Sequence, residues 1–91
     1  MKNLSVQNMR SNNGNDIANQ FIINAPEGVY FQSYKSIIAF EPKDGSPTQL
    51  DEKYYNYSIT TSKYRNSFLC CNSKEVEARI KSGEFILTNL N

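Results

Sequence analysis

Histidine is absent from the 91 residues, and with it the side chain that most often serves as general base or metal ligand. Tryptophan is absent too, and the only cysteines, Cys70 and Cys71, stand side by side. A disulfide between neighbours is strained and closes no useful loop, so it cannot staple a fold. Without histidine or a second cysteine pair, no soft-ligand zinc site can be assembled, and neither a metal nor another cofactor is expected. Two reduced thiols, one packed as a small hydrophobe, and a cytoplasmic setting are the expectation. Glycine is sparse: Gly14, Gly28, Gly45 and Gly83 lie too far apart to cradle a phosphate. No run of about 18 apolar residues is present to span a membrane. The opening Met1-Lys2-Asn3-Leu4-Ser5 has no apolar core of a secretory signal.

What remains is a small, polar, aromatic-bearing chain. Hydrophobic residues make up 38% and charged residues 21%, with mean hydropathy −0.61, near the polar limit of globular composition. Aromatics at 12% argue against wholesale disorder, and a length of 91 residues points to one small domain. The net charge of +1 conceals a pattern. Residues 20–52 sum to −3 and residues 53–66 to +3, while the flanking segments are close to neutral. A domain charged differently on two sides suits a macromolecular partner, and ordinary surface mixing gives the same numbers.

Residues 1–19 are rich in Asn, which bonds its own backbone in competition with regular structure, so a flexible or loosely docked arm is expected there. The domain proper is expected over residues 20–91. Gln20 to Asn24 is short, apolar and β-branched, the profile of a strand. Ala25-Pro26-Glu27-Gly28 turns the chain into a second strand, Val29 to Ser33. A turn at Tyr34-Lys35 then leads into Ser36 to Glu41. Asp44-Gly45 between Pro42 and Pro47 is a strong hairpin signal. It leads to a short edge strand, Thr48 to Asp51, guarded by Pro47 and by the acidic Asp51-Glu52. After Tyr57 the period lengthens. Ser58, Thr60, Thr61 and Ser62 are N-cap candidates, and Tyr64, Phe68 and Cys71 recur at helical spacing. Asn72-Ser73-Lys74-Glu75 reads as a capping box opening a second helix that buries Val76 and Ile80 and stops at Gly83. Glu84 to Leu90 is the last strand, with Phe85 and Leu87 on one face. The order β-β-β-β-α-α-β predicts an α+β domain: a small, twisted, mostly antiparallel sheet with two helices packed on one face.

An enzyme is not expected. Serine and cysteine have no histidine to activate them, and no Ser-x-x-Lys spacing occurs. Glu41, Asp44, Asp51 and Glu52 all sit near turns, where carboxylates are usually solvated. The most informative segment runs from Lys53 to Asn66. It interleaves Tyr54, Tyr55, Tyr57 and Tyr64 with Lys53, Lys63 and Arg65, and sets hydroxyls at a helix N-terminus. Such rings and charges can anchor a protein interface, stack on bases beside bound phosphates, or simply join the core. The candidate contact residues are Tyr54, Tyr55, Tyr57, Lys63, Tyr64 and Arg65, with Asp44, Asp51 and Glu52 as a second, acidic patch. Tyr30, Gln32 and Tyr34 share one strand face by alternation and form another exposed-aromatic candidate.

Taken together, Gly14-Asn15, Asn19-Gln20-Phe21-Ile22-Ile23, Tyr30-Phe31-Gln32-Ser33-Tyr34 and Ile38-Ala39 are similar to a family of small phage-encoded proteins. In the second half Leu50-Asp51, Tyr57-Ser58, Thr60-Thr61-Ser62-Lys63, Phe68-Leu69 and Arg79-Ile80-Lys81-Ser82-Gly83-Glu84 carry the same resemblance. It covers residues 14 to 91 and leaves the Asn-rich arm outside. Lys35 departs from the Gly or Asn common at that position. The family is a domain of unknown function found in bacteriophages and mobile elements, so the resemblance implies a context and no catalytic residues. That context is an accessory protein in the host bacterial cytoplasm, acting by stoichiometric binding to a host protein, with inhibition of host defence in the manner of anti-CRISPR proteins as one form. The alternative is a small DNA- or RNA-binding protein using residues 53–66 together with Lys2 and Arg10, against which the near-zero net charge counts. A virion component is a third reading. No membrane partner is expected, and the chain is expected to be a monomer or homodimer.

Overall fold

Six strands and two helices follow one another along residues 4–91, the residues that the computed structural model describes. The strands are β1 (Ser5–Arg10), β2 (Asp16–Ala25), β3 (Gly28–Ser33), β4 (Ser36–Pro42), β5 (Thr48–Asp51) and β6 (Phe85–Thr88). Helices α1 (Ile59–Leu69) and α2 (Ser73–Ser82) lie between β5 and β6. All six strands form one mixed sheet whose spatial order is the chain order. Neighbours from β1 to β5 pair antiparallel, while β6 returns through the helices to pair parallel with β5. The fold is α+β, as the alternating and then helical periods predict.

Directly opposed residues fix which face is covered. Gln7, Ile22, Phe31, Ala39, Leu50 and Leu87 follow one another across the sheet. At the centre of this row Phe31, Ala39 and Leu50 are fully buried, and they share the core with Ile38, Leu69, Cys71, Val76 and Phe85. Burying the Val, Leu, Ile and Phe side chains among these stabilises by roughly 1.5–3 kcal/mol each, so the helix-covered face holds most of the apolar driving force. Gln20, on the same face opposite Ser33, is also fully buried, and its amide finds no partner among the described residues.

Local signals set most boundaries. At the Tyr34-Lys35 turn Ser33 opposes Ser36 and Tyr34 takes φ 56°, so a residue without glycine's freedom holds the left-handed conformation. Ser58 caps α1 by accepting from Thr61 N at 3.1 Å. Asn72 and Glu75 form the reciprocal capping box of α2, and Gly83 ends that helix at φ 88°. Gly28 has a different reason. It sits at φ 154° where an added Cβ would strike the Glu41 carbonyl and the Phe40 ring, and the Tyr30 ring stacks on that Phe40 at 4.3 Å.

Four expectations need correcting. Where the Asn-rich arm is expected, Ser5–Arg10 pairs with β2 as an extra strand, and β2 begins at Asp16 rather than Gln20. Asn8 helps hold this pairing by donating to the Ile17 carbonyl at 3.1 Å, so an Asn read as a competitor serves the sheet. Lys2 lies outside the described residues. Second, β5 is interior rather than an edge: β6 covers it, and β1 and β6 are the edge strands. Third, the buried positions of α1 are Thr61, Arg65 and Leu69, with Tyr64 and Phe68 only half-buried against the core. Cys71 lies beyond the left-handed cap at Cys70 and packs as a small hydrophobe, and both thiols are free. Finally, the last strand is shorter than expected and only Phe85 is buried, Leu87 being exposed.

Candidate functional site

The segment between β5 and α1 is shaped by two buried charges. Asp51 ends β5 and is only 1% exposed. One carboxylate oxygen accepts from Lys53 N at 3.1 Å and Tyr54 N at 2.9 Å, the other from Leu90 N at 2.8 Å. Burial pushes this carboxyl up, but the donated backbone hydrogen bonds outweigh it and hold the group below its ordinary range. One side chain thus ties the turn into α1 to the segment after β6. Asn91 continues that tie. Its side-chain amide accepts from Ile37 N at 2.7 Å and donates to Ile37 O at 2.9 Å, as a strand would.

Arg65 is the second buried charge, also 1% exposed. Its guanidinium donates to the Tyr55 carbonyl at 2.7 Å, to Asn66 Oδ1 at 2.8 and 3.2 Å, and to Ser73 Oγ at 3.2 Å. A longer contact, 3.5 Å, reaches Asn56 Oδ1. Arginine's fork of donors is thereby spent inside the protein, joining the loop before α1, α1 itself and the start of α2. Burial lowers its proton affinity, while the charge of Glu77 and the neighbouring Tyr55 act the other way. Tyr55 donates to Glu77 Oε2 at 3.2 Å, and burial together with that carboxylate raises its phenol above the usual range.

On this frame stands an open groove of about 770 Å³ between the β3–β4 turn and the N-terminus of α1, walled by Tyr34, Tyr54 and Tyr57 with Ser33, Ile38 and Thr61 in its lining. Ser33 and Thr61 share a buried hydroxyl hydrogen bond of 3.0 Å, fixing α1 against β3. The Tyr54 and Tyr57 rings meet edge to face at 5.6 Å. Ser58 lines both this groove and a second depression containing Ile59, Ser62 and Lys63. Around these hollows Tyr34 is 51%, Tyr57 71% and Ile59 91% exposed. Lys35 borders the groove, Lys63 borders the depression, and Lys53 lies over the Tyr54 ring at 5.3 Å.

The candidate residues therefore divide. Tyr54, Tyr57 and Lys63 do come together at one end of the molecule. Tyr54, Tyr55 and Tyr64 are all half-buried and pack on the core, and of these three Tyr54 alone also lines the groove; Arg65 is an internal tie, which removes it from any contact surface. The acidic patch is not assembled either. Asp44 is exposed in the β4–β5 turn, where it accepts from Ser46 N at 2.9 Å, while Asp51 and the exposed Glu52 stand at the other end of β5, with Asp51 buried. Tyr30 and Gln32 lie on the uncovered sheet face, whereas Tyr34 leaves it in the turn and joins the groove. Sequence reasoning passes over Ile59 altogether. The available signal is an apolar first helical residue with only Ser62 and Lys63 three and four places on, so no apolar stripe claims it. Chemically the arrangement offers rings, hydroxyls and lysines for contact. Among the described residues no group of three Cys, Asp or Glu side chains is gathered for a metal.

Residues 4–85 match a family of unknown function, DUF8033. Neither a curated protein nor a solved structure matches the chain.

Proposed function

Because the chain belongs to the DUF8033 family, whose function is unknown, we propose from its own geometry that it acts by non-catalytic binding to a protein partner. The contact surface is the α1 N-terminal end with its groove: Tyr34, Tyr54 and Tyr57 as rings, Ile59 as apolar anchor, Lys35 and Lys63 as charged rim. The observation that carries this reading is the exposure of Tyr34, Tyr57 and Ile59 around adjoining hollows, since the core needs none of the three. Lysines beside the rings suit a partner whose surface is acidic. The resemblance to phage-encoded accessory proteins makes a bacterial defence complex the first partner class to test, with inhibition as the consequence of binding.

The test is capture with tagged protein from bacterial lysate, with and without nuclease, followed by binding of the purified partner to Tyr57→Ala/Ile59→Ala. One dominant protein that survives nuclease and is lost in the folded double variant is the expected result. Recovery of nucleic acid alone, abolished by nuclease, sinks the reading in favour of DNA or RNA binding.

A further inference from the structure

A buried amide stands unanswered beside the groove. Gln20 is fully buried, and neither its amide nitrogen nor its amide oxygen has a hydrogen-bond partner among the described residues. Such a group loses its hydration and gains no hydrogen bond in exchange. In the β2–β3 register Gln20 lies directly opposite Ser33, at the roughly 5 Å that separates opposed side chains in a sheet. Ser33 in turn lines the groove and shares a hydroxyl hydrogen bond with Thr61 of α1. Among the described residues that 3.0 Å bond is the only hydrogen bond from α1 to a strand.

The two ends of α1 are held differently. Towards its C-terminus Leu69 belongs to the core, and Phe68 stacks on Phe31 with ring centroids 5.7 Å apart. Towards its N-terminus the only buried residue before Arg65 is Thr61, and Ile59 faces solvent. Arg65 itself binds the preceding loop, Asn66 and Ser73, none of them in the sheet. The first turn is also weak as a helix. Ile59, Thr60 and Thr61 are consecutive β-branched residues, and no acidic side chain in that turn meets the positive end of the helix dipole. The sheet beneath is locked by comparison. Tyr34 N donates to Asn19 O at 2.7 Å, tying β2 to the β3–β4 turn through two residues held at φ 56° and 65°.

We propose that residues 59–63 are a gate over the groove floor, a segment that unwinds from Ser33 while α1 from Tyr64 onward stays docked. The unpaired Gln20 amide disfavours the shut state alone, so it biases the segment towards opening. Opening frees the Ser33 and Thr61 hydroxyls and lets the Gln20 amide meet water or the polar groups of an occupant. Ser33, Ser58, Thr60 and Thr61 all line the groove at this junction, so the state of the gate decides whether the floor is sealed or polar and open. That the gate admits a protein partner rests on the binding reading above; the opening itself does not.

Amide hydrogen exchange of the 91-residue chain, resolved by residue with NMR, tests this with no partner present, so it succeeds or fails apart from the capture experiment. The amides of Ser62, Lys63 and Tyr64 have their helical partners at residues 58–60. They should exchange about tenfold or more faster than those of Leu69, Phe31 and Ala39. Gln20→Met keeps the length of the side chain and removes its polar atoms, and should slow the three amides about tenfold. Gln20→Leu repeats that comparison should methionine disturb the circular dichroism spectrum. Thr61→Val keeps β-branching but strips Ser33 of its partner, and should speed the three amides several-fold. Exchange of residues 62–64 at the rate of the core overturns the proposal. So does fast exchange that neither Gln20 variant slows, the mark of a helix end that frays without regard to the sheet.

Discussion

Arg65 donates from Nη1 to the carbonyl of Tyr55 at 2.7 Å, fastening the loop before α1 to the helix that follows it. No carboxylate lies within ion-pair distance of this buried cation among the described residues, so neutral oxygens satisfy it instead. Arg65→Ala removes the hub and leaves the Tyr55 carbonyl and Asn66 without their donor. The expected loss is about 2–4 kcal/mol in urea denaturation. Arg65→Lys recovers little of it, because an ammonium cannot reproduce the planar fork.

Acid sensitivity is expected from Asp51. Its folded-state proton affinity is depressed, so the stability it confers is complete above the unfolded carboxyl value of about 3.9. That contribution is lost as pH falls through the lower folded value. Stability measured from pH 6 down to about pH 2 should drop in the acid limb, and Asp51→Asn should flatten that limb and cost about 2 kcal/mol at neutral pH.

Gly28→Ala places a methyl group against the Glu41 carbonyl and 2.7 Å from the Phe40 ring, at a positive φ that alanine adopts only under strain. A destabilisation of about 2 kcal/mol or more is expected, with Tyr30 displaced from its stack. Gly45→Ala, also at positive φ but with open space around it, should cost about 1 kcal/mol. Thermal melts of the two variants separate the crowding from the conformational cost.

Tyr57→Ala and Ile59→Ala should each leave stability within about 0.5 kcal/mol, since both side chains face solvent. Their effect is expected in partner affinity, at about 1–2 kcal/mol each if they anchor the interface. Matched denaturation and titration calorimetry distinguish this from a stabilising role.

Sequence made legible what depends on neighbours in the chain. Asn72 and Glu75 cap α2, Ser58 caps α1, and Gly83 stops a helix because the groups that satisfy one another lie within a few residues. The strands that pack Phe31, Ala39 and Leu50 announce themselves by their own apolar content. β1 could not be read because Ser-Val-Gln-Asn-Met-Arg gains its hydrogen bonds from β2 rather than from its own composition. The burial of Asp51 was hidden for the same reason: its partner Leu90 is 39 residues away. At the candidate site Tyr54, Tyr57 and Lys63 were visible as a mixed aromatic and basic segment. Arg65 stands in that segment too, and only tertiary contacts reveal that it faces inward. Ile59 escaped because an isolated apolar residue carries no pattern.

A sheet whose spatial order repeats its chain order has consequences for how the chain reaches it. Every pairing from β1 to β5 closes a short loop, so the meander can zip up from local hairpins at small entropic cost. The β5–β6 pairing is different, for Thr48 must find Phe85 across both helices. That long closure is the step whose rate the helices govern. In kinetic terms, variants in α1 and α2 should change the rate at which β6 docks, while variants in β1 should chiefly change how fast an outer strand peels away.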